Sequence, residues 1–417
     1  MTTNKAILSA PLVLAAMVGC AELSTPTSVA PIALSVTNQS QNERTEETIT
    51  LPLTQLRQYA KGFDLTTFSI TKGNQEIPSQ AIDSDGNGTL DGLVFNAQLK
   101  AGATDTFTIT STPNTLSYPK RTHAEISINQ GGKRGSDGKF EGGKFEPVKF
   151  QKIPEGHTPG DLQFRFEGPG WESDKIAYRL YFDHRNVNDI FGKKVPDMVL
   201  PQVGHIGYSY HKEADWGMDI LKVGPSLGIG GIGMRVDGEV QRVATAKDMS
   251  VNIVTDGNLQ SHIQIKHDDW RIAQNNFDLT NDITINAGSR MTHSSLTISP
   301  VSDNLVTGIV KHQPSEFISS SNESGDWAYI ATFGKQSYVH DELGMAILYK
   351  KSALIELSED KHNHLVTMKP QQNGKLDYYF LGSWAQDSDG MTTKAAFTDY
   401  LNGEIAKLNQ PLHISAK

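Results

Sequence analysis

The side chains best able to bind or transform a substrate are concentrated between Trp171 and Lys222. The main candidates in this stretch are Trp171, Arg179, Arg185, His205, Tyr210, His211, Asp215, Trp216, Asp219 and Lys222. Imidazoles and phenols transfer protons, arginine forks bind carboxylates, and aromatic faces stack on sugar rings. The stretch therefore indicates either an acid/base centre or a binding surface for a polar, acidic ligand.

A metal site is an alternative use of the same residues. His205 and His211 have the same parity, so an extended segment would aim both imidazoles to one side. Asp215 or Asp219 could complete the ligand set, but no compact motif such as HExxH supports it.

A calcium loop is the second metal candidate. Residues Asp83–Asp91 carry oxygen ligands at alternate positions, yet Val94 stands where a bidentate glutamate is expected. A tight turn explains the loop equally well. We therefore assign no cofactor, and a structural or catalytic divalent metal stays open.

A basic segment precedes this region. Residues 118–152 hold eight Lys or Arg against four acids, in a chain whose formal net charge is −9. The eight are Lys120, Arg121, Lys133, Arg134, Lys139, Lys144, Lys149 and Lys152. Local positive charge suits a carboxylated or sulfated ligand, and a solvated basic loop is the alternative.

Two segments show how strands would present such groups. Alternation in residues 121–128 sends Ala124, Ile126 and Ile128 to one face and leaves His123 and Glu125 on the other. In residues 175–183 the same period separates Ile176, Tyr178, Leu180 and Phe182 from Lys175, Arg179, Tyr181 and Asp183. We expect a charged sheet face, for which a merely solvated surface is the alternative.

Composition excludes several classes of protein. The chain has 417 residues and one cysteine, which rules out an internal disulfide framework and CxxC-type zinc or redox sites. The acidic balance argues against a general nucleic-acid binder. Gly228–Gly233 matches a dinucleotide fingerprint as letters, but a turn follows instead of a helix, so we reject a nucleotide site.

The strand pattern predicts an all-β fold in two parts. Residues 32–115 indicate a small β-sandwich, and residues 116–417 a large one. Near the end a helical period appears, with one apolar stripe formed by Phe397, Leu401, Ile405 and Leu408.

The N-terminus predicts export. A polar start is followed by an apolar run over residues 6–18, and Cys20 lies directly after small residues. The pattern is typical of a bacterial lipoprotein signal peptide over residues 1–19, with lipidation of Cys20 and a tether over residues 20–31. We expect a lipid-anchored protein of the periplasm or cell surface; an ordinary secretion signal is the alternative.

Five segments carry a family resemblance. They are Lys120–Ala124, Trp171–Arg179, Asp189–Lys193, Asp215–Asp219 and Val223–Gly231. With them, most of residues 32–417 resembles a secreted bacterial domain-of-unknown-function family found with polysaccharide-degradation systems, one marine member of which is an ulvan oligosaccharide dehydratase. Family members often read Trp-Glu-Asn-Asp where this chain has Ser173. The resemblance implies a galactose-mutarotase-like fold for the large sandwich and the activity of a carbon–oxygen lyase.

Elimination of a C4 substituent from a uronic acid requires removal of the C5 proton. That proton is weakly acidic because the neighbouring carboxylate opposes a second negative charge, so a cation must neutralise the carboxylate. We predict His211 and His123 as the acid/base pair, with Tyr210 as the next candidate. The predicted substrate contacts are Arg134, Trp171, Arg179, Arg185, Trp216 and Lys222.

The predicted function is therefore β-elimination on oligosaccharides that contain uronic acids, above all dehydration of the non-reducing-end uronate to a 4,5-unsaturated uronate. The alternatives are a lyase that cleaves the glycosidic bond, a sugar epimerase or mutarotase, and a non-catalytic glycan-binding lipoprotein. The expected partner is an anionic oligosaccharide. We expect no nucleic acid, and membrane contact only through the lipid anchor.

Overall fold

The computed structural model describes residues 1–2, 29–205, 207, 209–244, 246–320 and 324–416. The predicted apolar run and Cys20 lie outside the described residues. Within them the chain is mostly β, with a helix near the C-terminus, so the predicted fold class is confirmed.

The N-terminal part forms a small two-sheet sandwich. Its elements are β1 (Ile32–Thr37), β2 (Arg44–Pro52), α1 (Leu53–Tyr59), β3 (Ser69–Lys72), β4 (Gln75–Ile77), β5 (Ser79–Ile82), β6 (Gly92–Leu99) and β7 (Thr104–Thr110). Strands β2, β6 and β5 make one sheet, and β1, β7, β3 and β4 belong to the other. Buried apolar side chains such as Leu34, Phe95 and Phe107 fill the space between them.

The middle of the chain supplies many short strands. They are β8 (Thr122–Glu125), β9 (Ser127–Gln130), β10 (Lys133–Arg134), β11 (Phe140–Glu141), β12 (Lys144–Pro147), β13 (Phe150–Lys152), β14 (Gly170–Ser173), β15 (Ala177–Leu180), β16 (Asn188–Lys193), β17 (Gly217–Asp219), β18 (Gly233–Val236) and β19 (Glu239–Arg242). Gly228–Gly233 leads into strand β18 and not into a helix.

Longer strands follow. They are β20 (Asp248–Asp256), β21 (Gln260–Ile272), β22 (Asn275–Asn286), β23 (Thr292–Ser299), β24 (Leu305–Val310), β25 (Ser315–Ser319), β26 (Trp327–Gly334), β27 (Leu343–Lys350), β28 (Leu354–Glu359), β29 (Asn363–Met368) and β30 (Lys375–Trp384), then α2 (Lys394–Asn409) and β31 (His413–Ala416). A single nine-stranded sheet runs in the order β13-β20-β21-β22-β23-β30-β27-β26-β25.

Two five-stranded sheets face this large sheet. Their orders are β17-β16-β15-β14-β8 and β19-β18-β24-β29-β28. The shared core is apolar and aromatic: Trp171 and Tyr178 lie with ring centroids 5.9 Å apart, and Tyr178 meets Phe380 of the large sheet at 5.4 Å. The core therefore lies between the sheets, and each sheet keeps an outer face.

Helix α2 packs on the outer face of the large sheet. Phe397, Leu401 and Ile405 of the predicted stripe are fully buried there, and Leu408 is partly buried. Each buried side chain of this size contributes about 1.5–3 kcal/mol. Thr393 caps the helix, since its side chain accepts a hydrogen bond from the Ala396 amide at 3.2 Å.

The last strand departs from the predicted division. β31 pairs antiparallel with β1 of the small sandwich, with Leu34 opposite Ala416. The end of the chain thus returns to the first unit, because β1 would otherwise be an open edge.

Candidate functional site

The predicted polar faces meet on the outer face of sheet β17-β16-β15-β14-β8. Strand register aligns the side chains in two rows, Glu125, Gly170, Arg179 and Asp189 in one, and His123, Glu172, Ala177, Phe191 and Asp219 in the other. Cross-strand partners point to the same side, so these residues share one face. The face is buried and not solvated: Arg179, Glu172 and Asp189 are fully inaccessible to water.

Residues 194–205 and 209–216 cover this face and are fixed to it by Glu172. The Glu172 carboxylate accepts hydrogen bonds from Lys193 Nζ at 2.7 Å and from the Val199 and Leu200 amides at 2.9 and 2.8 Å. Glu172 and Lys193 are both fully buried, and each neutralises the charge of the other, which would be costly to bury alone.

A second covering segment has a strained backbone. Phe166 (φ 38°) and Glu167 (φ 68°) are left-handed without being glycine. Phe166 rests on Gly170, where an added Cβ would come within 2.9 Å of its ring, so only glycine permits this contact. This backbone conformation places the Phe166 carbonyl and the Glu167 carboxylate next to Arg179.

Arg179 is the centre of the buried network. Its Nη2 donates to Asp219 at 2.6 Å and to Asp189 at 2.7 Å, and Nη1 donates to the Tyr210 hydroxyl at 3.0 Å. Burial opposes the charge, but Asp219, Tyr181 and Asp189 hold the Arg179 pKa well above its ordinary value. Burial and the charge of Asp219 raise the Asp189 pKa to about 6. Because every guanidinium N–H has an internal acceptor, Arg179 positions neighbours and is not a substrate contact, contrary to prediction.

His211 connects this network to the surface. Its Nδ1 lies 3.2 Å from Asp219 Oδ2, and its side chain is 51% exposed. The hydrogen bond to Asp219 raises the His211 pKa. The His211 ring also lies 4.6 Å from Tyr210 and stacks at 6.2 Å on Tyr338. The structure therefore gives one predicted imidazole a buried carboxylate partner and an open outer side.

A cavity of about 400 Å³ adjoins His211 through Tyr338. It is lined by Lys222, His312, Gln313, Lys335, Gln336, Ser337, Tyr338 and His340. Nothing acidic is among these residues, and neither Lys222 nor Lys335 has an ion pair within the described residues. The cavity is thus a cationic pocket with one phenol and two imidazoles on its walls.

Sequence reasoning missed the cavity wall formed by Lys335–His340. This loop joins β26 to β27, more than 100 positions after His211 along the chain. The only local signal is a polar turn with Lys, Tyr and His between two apolar strands, which resembles many solvated loops. His340 has a left-handed backbone (φ 62°), a strained state that is enriched at functional positions.

Two other predicted residues join the same cluster. Arg185 lies 3.7 Å above the Tyr181 ring and donates to Glu167 at 2.8 Å, so it reaches Arg179 through both. Trp216 packs beside Phe191 at 6.2 Å and is half-buried. The structure thus brings Arg179, Arg185, Tyr210, His211 and Trp216 together, with Lys222 at the cavity.

His123 lies apart from them. It is on β8, four strands from β17, which corresponds to about 19 Å. Burial would lower its pKa, but the hydrogen bond with Asp256 at 2.8 Å and the nearby Glu125 carboxylate at 3.7 Å outweigh it and raise the pKa to about 9. His123 and His211 therefore do not form the predicted acid/base pair.

Trp171 and Arg134 also differ from prediction. Trp171 is 1% exposed, and its Nε1 donates to Thr292 at 2.9 Å, so it is a core residue with no face for a sugar. Arg134 lies on the β10–β11 hairpin and pairs with Asp161 at 3.1 Å, outside the Arg179 cluster.

The metal alternatives gain no support from the geometry. His205 contacts Arg165 Nη1 at 3.2 Å, whereas His211 contacts Asp219, so the two imidazoles do not converge. In the loop at Asp83, the carboxylate accepts hydrogen bonds from the Gly86 and Gly88 amides at 2.9 and 2.7 Å, as in a tight turn. Within the described ranges no group of three His, Cys, Asp or Glu is arranged to hold a metal ion.

Residues 36–414 match a family model described as "Domain of unknown function (DUF4861)". The "Uncharacterized protein P7" of Formosa agariphila is 24% identical over 351 residues, covering 81% of each chain. In the part of the chain that is described, no helix has the length and apolarity needed to cross a bilayer.

Two solved structures were also found. One is a protein in the glycosyl hydrolase family 38 from Enterococcus faecalis, at 9% identity and TM-score 0.46, covering 94% of this chain and 48% of the other. The second is an alpha-mannosidase from Enterococcus faecalis V583, at 10% identity and TM-score 0.45, covering 93% and 46%. This chain spans about half the length of those structures.

Proposed function

The chain belongs to the DUF4861 family, and from the geometry of its site we propose that it eliminates the C4 substituent of uronic acids in oligosaccharides, with water as the leaving group. One observation carries the proposal. A half-exposed His211, held by buried Asp219, stacks on Tyr338 in the wall of a cavity that Lys222 and Lys335 also line.

The two lysines address the first chemical difficulty. Removing the C5 proton places a second negative charge next to the substrate carboxylate, and that charge must be stabilised as it develops. Lys222 and Lys335 line the pocket without a carboxylate beside them, so both are free to bind the substrate acid within the described structure. Their charges stabilise the enolate-like transition state more than the ground state.

The imidazoles address the proton transfers. Because Asp219 raises the His211 pKa, the protonated form of His211 is favoured, which suits the role of acid toward the departing oxygen. His340 lines the same pocket and is the candidate base for the C5 proton. In this reaction the C5–H electron pair forms the C4=C5 double bond, the C4–O bond breaks, and the oxygen leaves as water with the His211 proton.

The proposal is tested by incubating purified protein with saturated uronic acid oligosaccharides. We expect a product lighter by one water, with the near-ultraviolet absorbance of an unsaturated uronate. Release of a shorter saccharide instead would indicate glycosidic cleavage, and an unchanged sugar would contradict elimination altogether.

Variants locate the reaction. His211→Ala is expected to lose activity by about 100-fold or more, because general acid/base groups contribute about 10²–10⁴-fold. The matched control is His413→Ala, an exposed imidazole on β31 of the small sandwich. Full turnover by the His211 variant would remove that residue from the mechanism.

A further inference from the structure

The outer face of the large sheet carries a second, separate array of polar side chains. Four neighbouring strands, β21, β22, β23 and β30, align them in three rows. The rows are Lys266-Thr280-Thr297-Lys375, Gln264-Asp282-Ser295-Asp377 and His262-Thr284-His293-Tyr379. Rows are two residues apart, so the array is about 14 Å long and about 14 Å wide.

The lengths of these side chains make the array a trough. Short hydroxyl residues occupy much of the two middle strands, and longer side chains rise from β21 and β30. Two cavities lie on this face, one of about 490 Å³ lined by Thr280, Ser295 and Thr297, and one of about 360 Å³ beyond Tyr379. We call this surface the outer trough.

Both sides of the outer trough are walled. On one side the β5–β6 loop of the small sandwich contacts β21: Gln264 Nε2 donates a hydrogen bond to the Asp85 carbonyl at 3.3 Å. On the other side α2 covers Leu348 and Leu381, which share the face of Tyr379. A plain solvated sheet face has no such walls.

Charge is distributed unevenly along the outer trough. Asp282 already meets His262 Nε2 at 2.8 Å, and Asp377 meets His293 Nε2 at 3.2 Å. Lys266 on β21 and Lys375 on β30 are the outermost members of one row. Neither has an ion pair among the described residues. Asp282 and Asp377 are therefore partnered, whereas Lys266 and Lys375 are exposed and available to an acidic ligand.

The other end of the outer trough is aromatic. The His293 and Tyr379 rings stack 4.6 Å apart at 25°, and Trp327 lies 5.2 Å from Tyr379. Half-buried rings offer a surface for a sugar, and the hydroxyl floor offers both donors and acceptors.

We propose that the outer trough is a glycan-binding site, distinct from the His211 pocket, that takes a short acidic oligosaccharide. The acidic group lies between Lys266 and Lys375, the sugar hydroxyls meet Thr280, Ser295 and Thr297, and a ring lies toward Tyr379. This site binds and does not react, so it stands independently of the proposed elimination.

Calorimetry with saturated trigalacturonate tests the proposal, using His211→Ala protein so that turnover cannot intervene. We expect one binding event at the His211 pocket and a second in the outer trough. In Lys266→Ala/Lys375→Ala the second event should weaken at least tenfold, because two charge-assisted contacts are lost. Ser295→Trp should abolish it by filling the floor, and Lys369→Ala, an exposed lysine elsewhere, should leave both events unchanged.

Two results would overturn the assignment. One is a trigalacturonate isotherm that both trough variants leave unaltered. The other is equally tight binding of uncharged maltotriose, which would show that the lysines do not select an acid. Lys222→Ala/Lys335→Ala removes the other binding event, so failure of the pocket and failure of the outer trough give different isotherms.

Discussion

One carboxylate oxygen of Asp219 contacts both Arg179 and His211. Oδ2 accepts from both Arg179 and His211, while Oδ1 is buried and has no hydrogen-bond partner in the described structure. The carboxylate therefore orients the His211 ring, with Nδ1 toward Asp219 and the opposite edge of the ring directed away from it.

The substitution Asp219→Asn tests whether the negative charge of Asp219 raises the pKa of His211. The amide keeps the volume but removes the negative charge, so the raised pKa of His211 should fall toward the ordinary histidine value. An NMR titration of the His211 ring protons measures this shift. Asp215→Asn changes an exposed carboxylate of the same segment and should leave the titration in place; an unmoved pKa in Asp219→Asn would contradict the coupling.

His123 makes stability depend on pH. Its pKa rises from 6.5 to about 9 on folding, so its stabilising contribution is complete below 6.5 and is lost as the pH rises through about 9. The difference corresponds to about 3 kcal/mol for this buried imidazole.

Urea unfolding below pH 6.5 and above pH 9 measures that contribution. His123→Gln should weaken the dependence in this window, since glutamine does not titrate and the pKa values of Asp256 and Glu125 are lowered. A wild-type free energy of unfolding that is equal at both ends would refute the shift.

At the level of elements, the Glu172–Lys193 pair links β14 and β16 to the segment that covers them. Both charges are fully buried, so loss of one leaves the other unpaired in a medium of low polarity. The covering segment in turn carries Tyr210, His211 and Trp216, which makes the candidate site dependent on this pair.

Lys193→Met should lower the free energy of unfolding by about 3–5 kcal/mol, because a buried carboxylate loses its counter-ion. Denaturant unfolding measures the change. Lys194→Met is the matched control: its pair with Glu213 is 28% and 43% exposed, so the loss should stay within about 1 kcal/mol. Equal effects of the two substitutions would contradict the buried pair as the anchor.

The alternation of polar and apolar residues predicted which side chains of these strands share a face. It did not predict which segments cover that face. The parity of residues 121–128 and 175–183 placed His123, Glu125, Arg179 and Tyr181 on one side, as observed. Periodicity cannot show which strand neighbours which, so it did not separate His123 from His211 or place Trp171 opposite Tyr178 in the core.

The pocket residues Lys335–His340 were out of reach for a related reason. They enter through a loop whose position depends on the order of strands in the large sheet, and no local pattern encodes that order. The hydroxyl floor of the outer trough was equally hidden, because it requires the register of four strands at once.

For the whole molecule, the sequence predicts that a lipid on Cys20 anchors the protein to a membrane. We expect Cys20→Ser to move the protein from the membrane fraction to the aqueous fraction of the producing bacterium, because the acyl chains are the only anchor proposed. Fractionation with immunoblotting measures this. A variant that sediments with membranes as the wild type does would exclude lipidation as the cause of attachment.

The pairing of β31 with β1 has a geometric result for the folded body that the structure describes. Leu34 lies directly opposite Ala416, so the two ends of the folded body leave it within about one strand spacing of each other. A short peptide could join them, and new termini opened in a distant turn would yield a circular permutant with the same architecture.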